Sequence, residues 1–432
     1  VQPQNSDFCR NSVDLTADKS YNNFIYGQIT LPEKTKRHFI FPCFRTDSNA
    51  CFRRFCGKEI SVLFITIFCI FFLTMFAGTY WLSGRWLMLV GVPYNTKRSR
   101  IARSVLGVAV VVLCGIWRVV VIVVMHVIAF ALLCEIAAVI ARRIGKRFKG
   151  KRVYSVCRVI YRSAAVPLLL TAALMLYGTV YMWHIVRTDY TVTSAKLADE
   201  YRIVLMTDTH FGSIQSPEVL EKKVDEINSL NADMIILCGD ITDESTTREQ
   251  LDQVFEIYSR MKSRYGTFYT YGNHDRQEYA VANRRAYTPE EFADVVRSHG
   301  IKILQDDFVN IGNDLVLVGR EDKSWKENPR LSSETLLKDV DRSRFIIISD
   351  HQPVDAEVNA AQGADLQLSG HTHAGQIYPF GLLIELVGKL NYGEYHRGNL
   401  TAIVSSGTTG WGFPIRTEEH CEYVLVTLKP AQ

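Results

Sequence analysis

The stretch SGHTHAGQI, residues 369–377, places two histidines one residue apart between glycines, directly behind a strand-like run. In a β-strand, residues i and i+2 point to the same face, so the imidazoles of His371 and His373 can be aimed at one point. Imidazole is the commonest metal-binding side chain. The pair therefore indicates a metal site, against the simpler interpretation of a polar turn whose histidines are only solvated.

Four other runs rich in β-branched residues also end in polar side chains. Charge-rich segments with helical spacing, such as SPEVLEKKVDEINSLN, lie between several of these runs. This alternation predicts an α/β sheet with helices packed outside it, and such sheets bind ligands at the carboxyl ends of their strands. In chain order, the five strand-end motifs are DTH at 208–210, GDITD at 239–243, GNHD at 272–275, DHQP at 350–353 and GHTH at 370–373.

In this order, the motifs closely resemble the signature of the calcineurin-like metallophosphoesterase superfamily: D-x-H, G-D-x-x-D, G-N-H-[DE], H and G-H-x-H. The resemblance covers about residues 200–430. Together with the apolar segments before it, GHTHAGQIYP resembles the membrane-anchored branch, which includes transmembrane proteins with a metallophosphoesterase domain and is similar to UDP-2,3-diacylglucosamine diphosphatases. The resemblance implies an α/β fold, a four-layer αββα sandwich preceded by transmembrane helices, with a two-metal centre.

The resemblance also implies a role for each motif residue. The implied metal ligands are Asp208, His210 and His373 for one ion, Asn273, His351 and His371 for the other, and Asp240 as a bridge. His274 would stand over the substrate phosphate, with Asp275 holding its ring. Many relatives have S-D-L-H where this chain has TDTH, but Thr207 and Thr209 leave both ligands in place.

The residue types suit phosphoester hydrolysis. Two divalent ions about 3.5–4 Å apart can clamp a phosphoryl oxygen and lower the pKa of a bridging water towards neutrality, so that hydroxide attacks in line. Two close dications repel, and the carboxylate of Asp240 would supply negative charge between them. Mixed nitrogen and oxygen ligands suit Mn²⁺, Fe, Zn²⁺ or Co²⁺ better than Mg²⁺, and the sequence does not choose among these four.

Three further side chains lie in the same motifs or directly after them. His274 is expected to donate a proton to the leaving oxygen or to stabilise charge on the phosphorane. Asp243 is expected to accept a hydrogen bond behind the ligands. Arg276 either contacts a substrate anion or is solvated. The segments 319–325 and 405–416 fall where relatives shape the mouth of the substrate site.

The first half of the chain predicts a membrane region. SVLFITIFCIFFLTMFAGTYWL, residues 61–82, has no charge over a length sufficient to cross a bilayer. Residues 105–140 form one long helix or a tight pair, and 164–186 form the last span. The predicted domains are an N-terminal segment of unknown role at 1–58, a region of three or four spans at 59–187, a linker at 188–199 and the metallophosphoesterase domain at 200–432.

The basic residues predict the topology. The loop at 142–162 is the densest basic segment, so the positive-inside rule places it in the cytoplasm and the catalytic domain outside it. A four-span count stays open because it would account for the basic residues at 83–103. We therefore expect a multi-pass protein of the cell membrane.

Taken together, these features predict a membrane-anchored phosphohydrolase for phosphoester or pyrophosphate bonds. Partners would be the lipid bilayer and a phosphoester substrate, either a lipid or a nucleotide-sugar lipid. The soluble half has no basic, aromatic run of the kind that binds single-stranded nucleic acid, so a nuclease is not expected. The alternative is a non-catalytic membrane sensor or scaffold that retains the metal-binding fold.

Overall fold

A computed structural model describes residues 48–144, 164–280 and 284–431. The chain divides into two compact units, Val1–Thr66 and Ile67–Gln432. Residues 1–47, most of the predicted N-terminal segment, lie outside the described part. So does most of the basic loop at 142–162, and the predicted topology and span count therefore stay predictions.

Apolar helices precede the sheets. Their bounds are α1 Ser48–Leu89, α2 Lys97–Ile116, α3 Arg118–Ile144 and α4 Ala165–Met182. Among the described residues, three segments are long and apolar enough to cross a membrane: Lys97–Ile116, Val119–Ile140 and Ala165–Met182. The span predicted at 61–82 lies within α1. The region predicted at 105–140 is a pair of helices, because Trp117 leaves helical geometry at φ −120° and ψ 106°.

Ionisable side chains within the apolar helices have partners. Glu135 of α3 forms an ion pair with Arg85 of α1. His126 is buried, and its Nδ1 lies 2.8 Å from the carbonyl oxygen of Ile122. Charges in apolar surroundings are costly unless they are paired, so the contact with Arg85 accounts for Glu135, whereas Nε2 of His126 has no hydrogen-bond partner among the described residues.

The second half forms two sheets. The strands are β1 Ile185–Ser194, β2 Tyr201–Met206, β3 Met234–Cys238, β4 Thr267–Thr270, β5 Lys302–Ile303, β6 Asp307–Ile311, β7 Leu315–Gly319, β8 Phe345–Ser349, β9 Leu366–Ser369, β10 Gly393–Arg397, β11 Leu400–Val404 and β12 Cys421–Pro430. One sheet has the order β1-β12-β2-β3-β4-β5 and the other the order β10-β11-β9-β8-β7-β6. Most neighbours are parallel; the antiparallel pairs are β12 with β2, β10 with β11 and β6 with β7.

Helices cover the outer faces of both sheets. The helices are α5 Pro217–Asn228, α6 Arg248–Ser259, α7 Pro289–Ser298, α8 Ser333–Leu336, α9 Ala356–Ala361 and α10 Phe380–Leu386. Side chains of α5, α6 and α7 pack on the first sheet, those of α8 and α9 pack on the second, and a third apolar layer lies between the sheets. The four-layer αββα sandwich predicted from the sequence is confirmed.

The predicted linker at 188–199 is largely wrong. Residues 185–194 form β1, which pairs in parallel with β12 along its whole length. Only Trp183 and His184 separate α4 from this strand. Met182, the last residue of α4, is fully buried in the core under the first sheet. The last apolar helix therefore joins the domain rigidly, without a flexible tether.

Candidate metal centre

The strand-end motifs of both sheets come together. β2, β3 and β4 lead into the first three motifs, and β8 and β9 lead into the last two. Six of the predicted ligands form two groups, and the donor atoms within each group lie within 4.8 Å of one another. The groups are Asp208, His210 and His373, and Asp240, His351 and His371.

The first group has donor spacing that suits one ion. Nε2 of His210 lies 3.3 Å from Nε2 of His373. The same His373 nitrogen lies 3.3 Å from Oδ1 of Asp208. Two nitrogens bound at zinc-like distances to a tetrahedral ion would be about 3.3–3.4 Å apart. Burial lowers the pKa of His210 to about 3 and also lowers the pKa of His373. Both rings are therefore neutral at pH 7, the form that binds a cation.

The second group lies against the first through a carboxylate. Oδ2 of Asp240 is 3.0 Å from Nε2 of His351 and 3.9 Å from Nε2 of His210, which is the position that a bridge requires. Oδ1 of Asn273 is buried and accepts no hydrogen bond from the described residues. A buried oxygen without a partner is costly, and a cation would satisfy it. The donor set thus fits a pair of divalent ions.

Backbone carbonyls orient the histidine rings. Nδ1 of His351 lies 2.8 Å from the oxygen of Cys238, and Nδ1 of His373 lies 3.1 Å from the oxygen of Thr409. Nε2 of each ring then faces a carboxylate, that of Asp240 for His351 and that of Asp208 for His373. Hydrogen bonds of this kind fix the tautomer and ring direction of metal-binding histidines.

Turns after the strands hold the ligands in an uncommon backbone conformation. Non-glycine residues rarely adopt positive φ, at a cost of about 1–3 kcal/mol each. The positive angles are 53° at Asp208, 42° at His210, 51° at Asp240, 73° at His371 and 50° at His373. Such strain concentrates at functional sites. Two motif glycines permit the close approach, because a Cβ at Gly272 would overlap Asp240 Oδ1 and one at Gly370 would overlap Asp208 Oδ2.

The expected pairing of Asp275 with His274 is wrong. Asp275 is fully buried, and its carboxylate accepts backbone N–H groups from Asp240, Ile241, Thr242 and Gly272 at 2.6–3.1 Å. Nδ1 of His274 instead lies 2.8 and 3.0 Å from the carboxylate oxygens of Glu244. Burial alone would lower the pKa of His274, but the charges of Asp240 and Glu244 raise it to about 9. These two carboxylates therefore favour the protonated form of the ring.

Arg276 is neither solvated nor available to a substrate anion. Its side chain is 5% exposed and forms a two-pronged ion pair with Glu321 at 2.8 and 3.0 Å. Its guanidinium also lies 3.5 Å from the ring centre of Tyr271 and 4.4 Å from that of Trp325. The expected role in substrate binding is corrected to a structural one. Asp243 accepts a hydrogen bond from Ser245 N at 2.8 Å, and its Oδ2 lies 3.6 Å from His210 Nδ1, which has no hydrogen-bond partner among the described residues.

A cavity of about 950 Å³ reaches the predicted ligands at Asn273. Its lining includes Asn273, His274, Glu244, Tyr279, Trp411 and Arg284. The ring of His274 is close to those of Tyr279 and Trp411, with centroids 5.2 and 5.1 Å away. Trp411 belongs to the segment 405–416 that was expected to shape the mouth. Sequence reasoning missed Glu244, whose signal is an acid directly after GDITD.

A buried arginine that sequence reasoning also missed connects the site to α4. The guanidinium of Arg416 donates hydrogen bonds to the backbone oxygens of His373, Ser406 and Thr409 at 2.8–2.9 Å. The backbone N–H of the same residue donates to the oxygen of Gly178 in α4 at 3.0 Å. The turn that carries a predicted ligand is thus joined to an apolar helix through one residue.

Residues 201–375, which contain these strand-end motifs, match the family model described as calcineurin-like phosphoesterase. Residues 201–375 thus form a calcineurin-like phosphoesterase domain. This confirms the family that the order of the strand-end motifs predicts.

The metallophosphoesterase domain has relatives in bacteria and vertebrates. An uncharacterized metallophosphoesterase of Helicobacter pylori (strain J99) is 32% identical over 239 residues, covering 54% of this chain and 61% of that protein. The transmembrane protein with metallophosphoesterase domain of Danio rerio is 29% identical over 288 residues, covering 63% of this chain and 64% of that protein. The chain thus spans less than two thirds of the length of these relatives. Among solved structures, TT1561 of Thermus thermophilus is similar over 48% of this chain and 90% of that one, at 18% identity and a TM-score of 0.34.

Proposed function

We propose that this protein is a membrane-anchored phosphohydrolase that uses two divalent ions. The observation that carries the proposal is the pair of donor groups that meet at Asp240, beside a cavity whose wall holds His274. Asp208, His210 and His373 would hold one ion, Asn273, His351 and His371 the other, and Asp240 both. When bound, the ions would polarise a phosphoester and activate water.

The side chains of the cavity would complete the reaction. His274, held by Glu244, would carry a proton to the leaving oxygen. Asp275 fixes the backbone N–H groups of the two neighbouring motifs and would thereby position Asp240 and Asn273. Tyr279 and Trp411, whose rings are close to that of His274, would line the space next to this proton.

A second part of the proposal concerns the substrate. Three apolar helices precede the domain, and the last of them enters the core directly through Met182. A site held rigidly at a bilayer meets phosphoesters of membrane lipids before those in solution. We therefore include lipid-linked phosphoesters in the proposed substrate class.

The test uses the full chain in detergent or nanodiscs, because cutting within β1 would remove an edge strand and part of the core. The protein is stripped of metal and assayed with p-nitrophenyl phosphate and bis(p-nitrophenyl) phosphate while Mn²⁺, Zn²⁺, Co²⁺ or Fe²⁺ is titrated in. Turnover that depends on metal and is lost in His274→Ala supports the proposal. Two bound ions without turnover on these esters, or on phosphoesters in vesicles, would contradict it and favour a non-catalytic sensor.

A further inference from the structure

The segment that follows the last two predicted ligands exposes an unusual amount of apolar surface. Between residues 378 and 387 the sequence is YPFGLLIELV, with Glu385 as its one acidic or basic residue. Its exposed members are Tyr378 58%, Phe380 46%, Leu382 45%, Leu383 49%, Leu386 71% and Val387 71%. A short helix that is apolar all round and uncovered in water is unfavourable, and contiguous patches of this kind mark contact surfaces.

Hydrogen bonds place this segment close to α4. Residues 415–418 form the connection, because Arg416 N donates to Gly178 of α4 at 3.0 Å. On the other side, Tyr378 N donates to Thr417 Oγ1 at 3.0 Å, and Gly381 N donates to Glu418 Oε2 at 2.8 Å. Only residues 415–418 thus separate the apolar segment from α4.

The length of α4 determines how deep in the bilayer its contact with residues 415–418 lies. The helix has 18 residues, which at 1.5 Å per residue is about 27 Å, slightly less than the roughly 30 Å thickness of the hydrocarbon core. To cross the bilayer, α4 must use its whole length, so Met182 lies at the boundary and Gly178 lies about one turn inside it. The residues that contact Gly178 therefore lie within about one turn of the boundary, and 378–387 lies beside them.

The aromatic residues at the C-terminal end of α4 also indicate that this end lies at the boundary of the hydrocarbon core. Tyr177 and Tyr181 stack with their ring centroids 4.9 Å apart, and Trp183 is 42% exposed. Tyrosine and tryptophan are enriched where a membrane helix leaves the hydrocarbon. The apolar segment thus emerges where the protein surface meets lipid.

From this arrangement, and on the basis of the proposed function, we infer that residues 378–387 are embedded in the interfacial layer of the bilayer and set the mouth of the catalytic cavity against the lipid head groups. Gln376 connects the two regions, because its side chain donates to the oxygens of Phe413 and Ile415 and accepts from Trp411 N at 2.8–3.1 Å. Trp411 lines the cavity. The phosphate of a lipid head group would then lie at the level of the cavity mouth.

The inference is tested by photolabelling of the full, unsubstituted chain, which requires no turnover. The protein is reconstituted in phosphatidylcholine vesicles that contain a phosphatidylcholine with a diazirine near its glycerol backbone, and labelled residues are assigned by peptide fragmentation. We expect labels on 378–387 and near Trp411, as well as on α4. Val358 is the internal control, since it is 49% exposed but lies in α9, which packs on the outer face of the second sheet. Labels on α4 without labels on 378–387 would overturn the inference.

A matched pair of variants makes the test independent of background labelling. Leu386→Glu combined with Val387→Glu should reduce labelling near Trp411 about tenfold, because charged side chains keep the segment out of lipid. Val358→Glu, a similar change on the other exposed surface, should leave it unchanged. Equal labelling in both variants would contradict the inference. If the unsubstituted protein does not hydrolyse p-nitrophenyl phosphate, the proposed function is contradicted but the labelling pattern is not. Failure of the proposed function can therefore be told apart from failure of the inference about residues 378–387.

Discussion

Nδ1 of His274 lies 2.8 Å from a carboxylate oxygen of Glu244, and both side chains line the same cavity. The carboxylate that follows His274 in sequence, Asp275, is directed away into the backbone of the neighbouring turn. The proton on His274 is therefore controlled by the residue that follows the GDITD motif. A change at Glu244 should consequently affect proton donation without removing a metal ligand.

Replacing Glu244 by Gln should preserve the size of the contact but remove its charge, and so weaken His274 as a proton donor. Phenyl phosphate has a poor leaving group that needs the proton, whereas p-nitrophenolate leaves without it. We expect kcat to fall about 10²-fold for phenyl phosphate and much less for p-nitrophenyl phosphate, as measured by steady-state kinetics. Glu290→Gln, at an exposed position, is the control. An equal loss on both substrates would show that Glu244 does not act through His274.

Asp240 should be indispensable for binding both ions. Asp240→Asn removes the negative charge that lies between the donor groups, so the two cations would repel without compensation. We expect bound metal, measured by inductively coupled plasma mass spectrometry, to fall below two ions per chain and kcat to fall about 10³-fold or more. Asp294→Asn, at a side chain 82% exposed, should change neither. Full activity in Asp240→Asn would exclude the dinuclear site.

The sequence predicted which side chains come together, because each of them follows a strand with a clear pattern. β-branched runs such as MIILC and FIIIS leave little choice of secondary structure, and parallel strands end at the same edge of a sheet. The site could therefore be assembled from motif order alone. The partners of His274 and Arg276 could not be predicted from motif order. Glu244 and Glu321 lie 30 and 45 residues away in sequence, and their contacts depend on how the turns fold.

β1 was missed for a related reason. Its sequence IVRTDYTVTS alternates in burial like an edge strand, but it follows the last apolar span directly, where a linker is expected. Its partner β12 lies at the other end of the domain. A pairing over that distance gives no local signal, and the rigid connection between α4 and the sheet became visible only in the structure.

The ion pair of Arg276 and Glu321 should contribute to stability and not to substrate binding. Arg276→Ala leaves a fully buried glutamate without its partner, which typically costs about 3–5 kcal/mol. We expect a fall in Tm of about 10 °C by differential scanning fluorimetry, with KM for p-nitrophenyl phosphate unchanged in the folded fraction. Arg276→Ala combined with Glu321→Ala should recover part of the lost Tm. A raised KM at unchanged Tm would instead restore Arg276 as a substrate contact.

The contact between Gly178 and Arg416 should couple the apolar helix α4 to the candidate metal centre. A Cβ at Gly178 would lie 2.8 Å from the backbone oxygen of Arg416 and 2.9 Å from Cγ2 of Ile415, so Gly178→Leu must displace residues 415–417. Since Arg416 also donates to the backbone of His373, we expect the metal concentration for half-maximal activity to rise about tenfold, as loss of supporting contacts around metal ligands typically does.

The matched control is Gly115→Leu in α2, where no atom lies within 4 Å of the added Cβ. It makes the same change of residue type in another apolar helix and should leave the metal titration unchanged. Thermal unfolding of both variants separates a general loss of stability from a local effect on His373. If Gly178→Leu binds and uses metal like the unsubstituted protein, α4 serves only as an anchor and its contact with Arg416 has no part in holding the site.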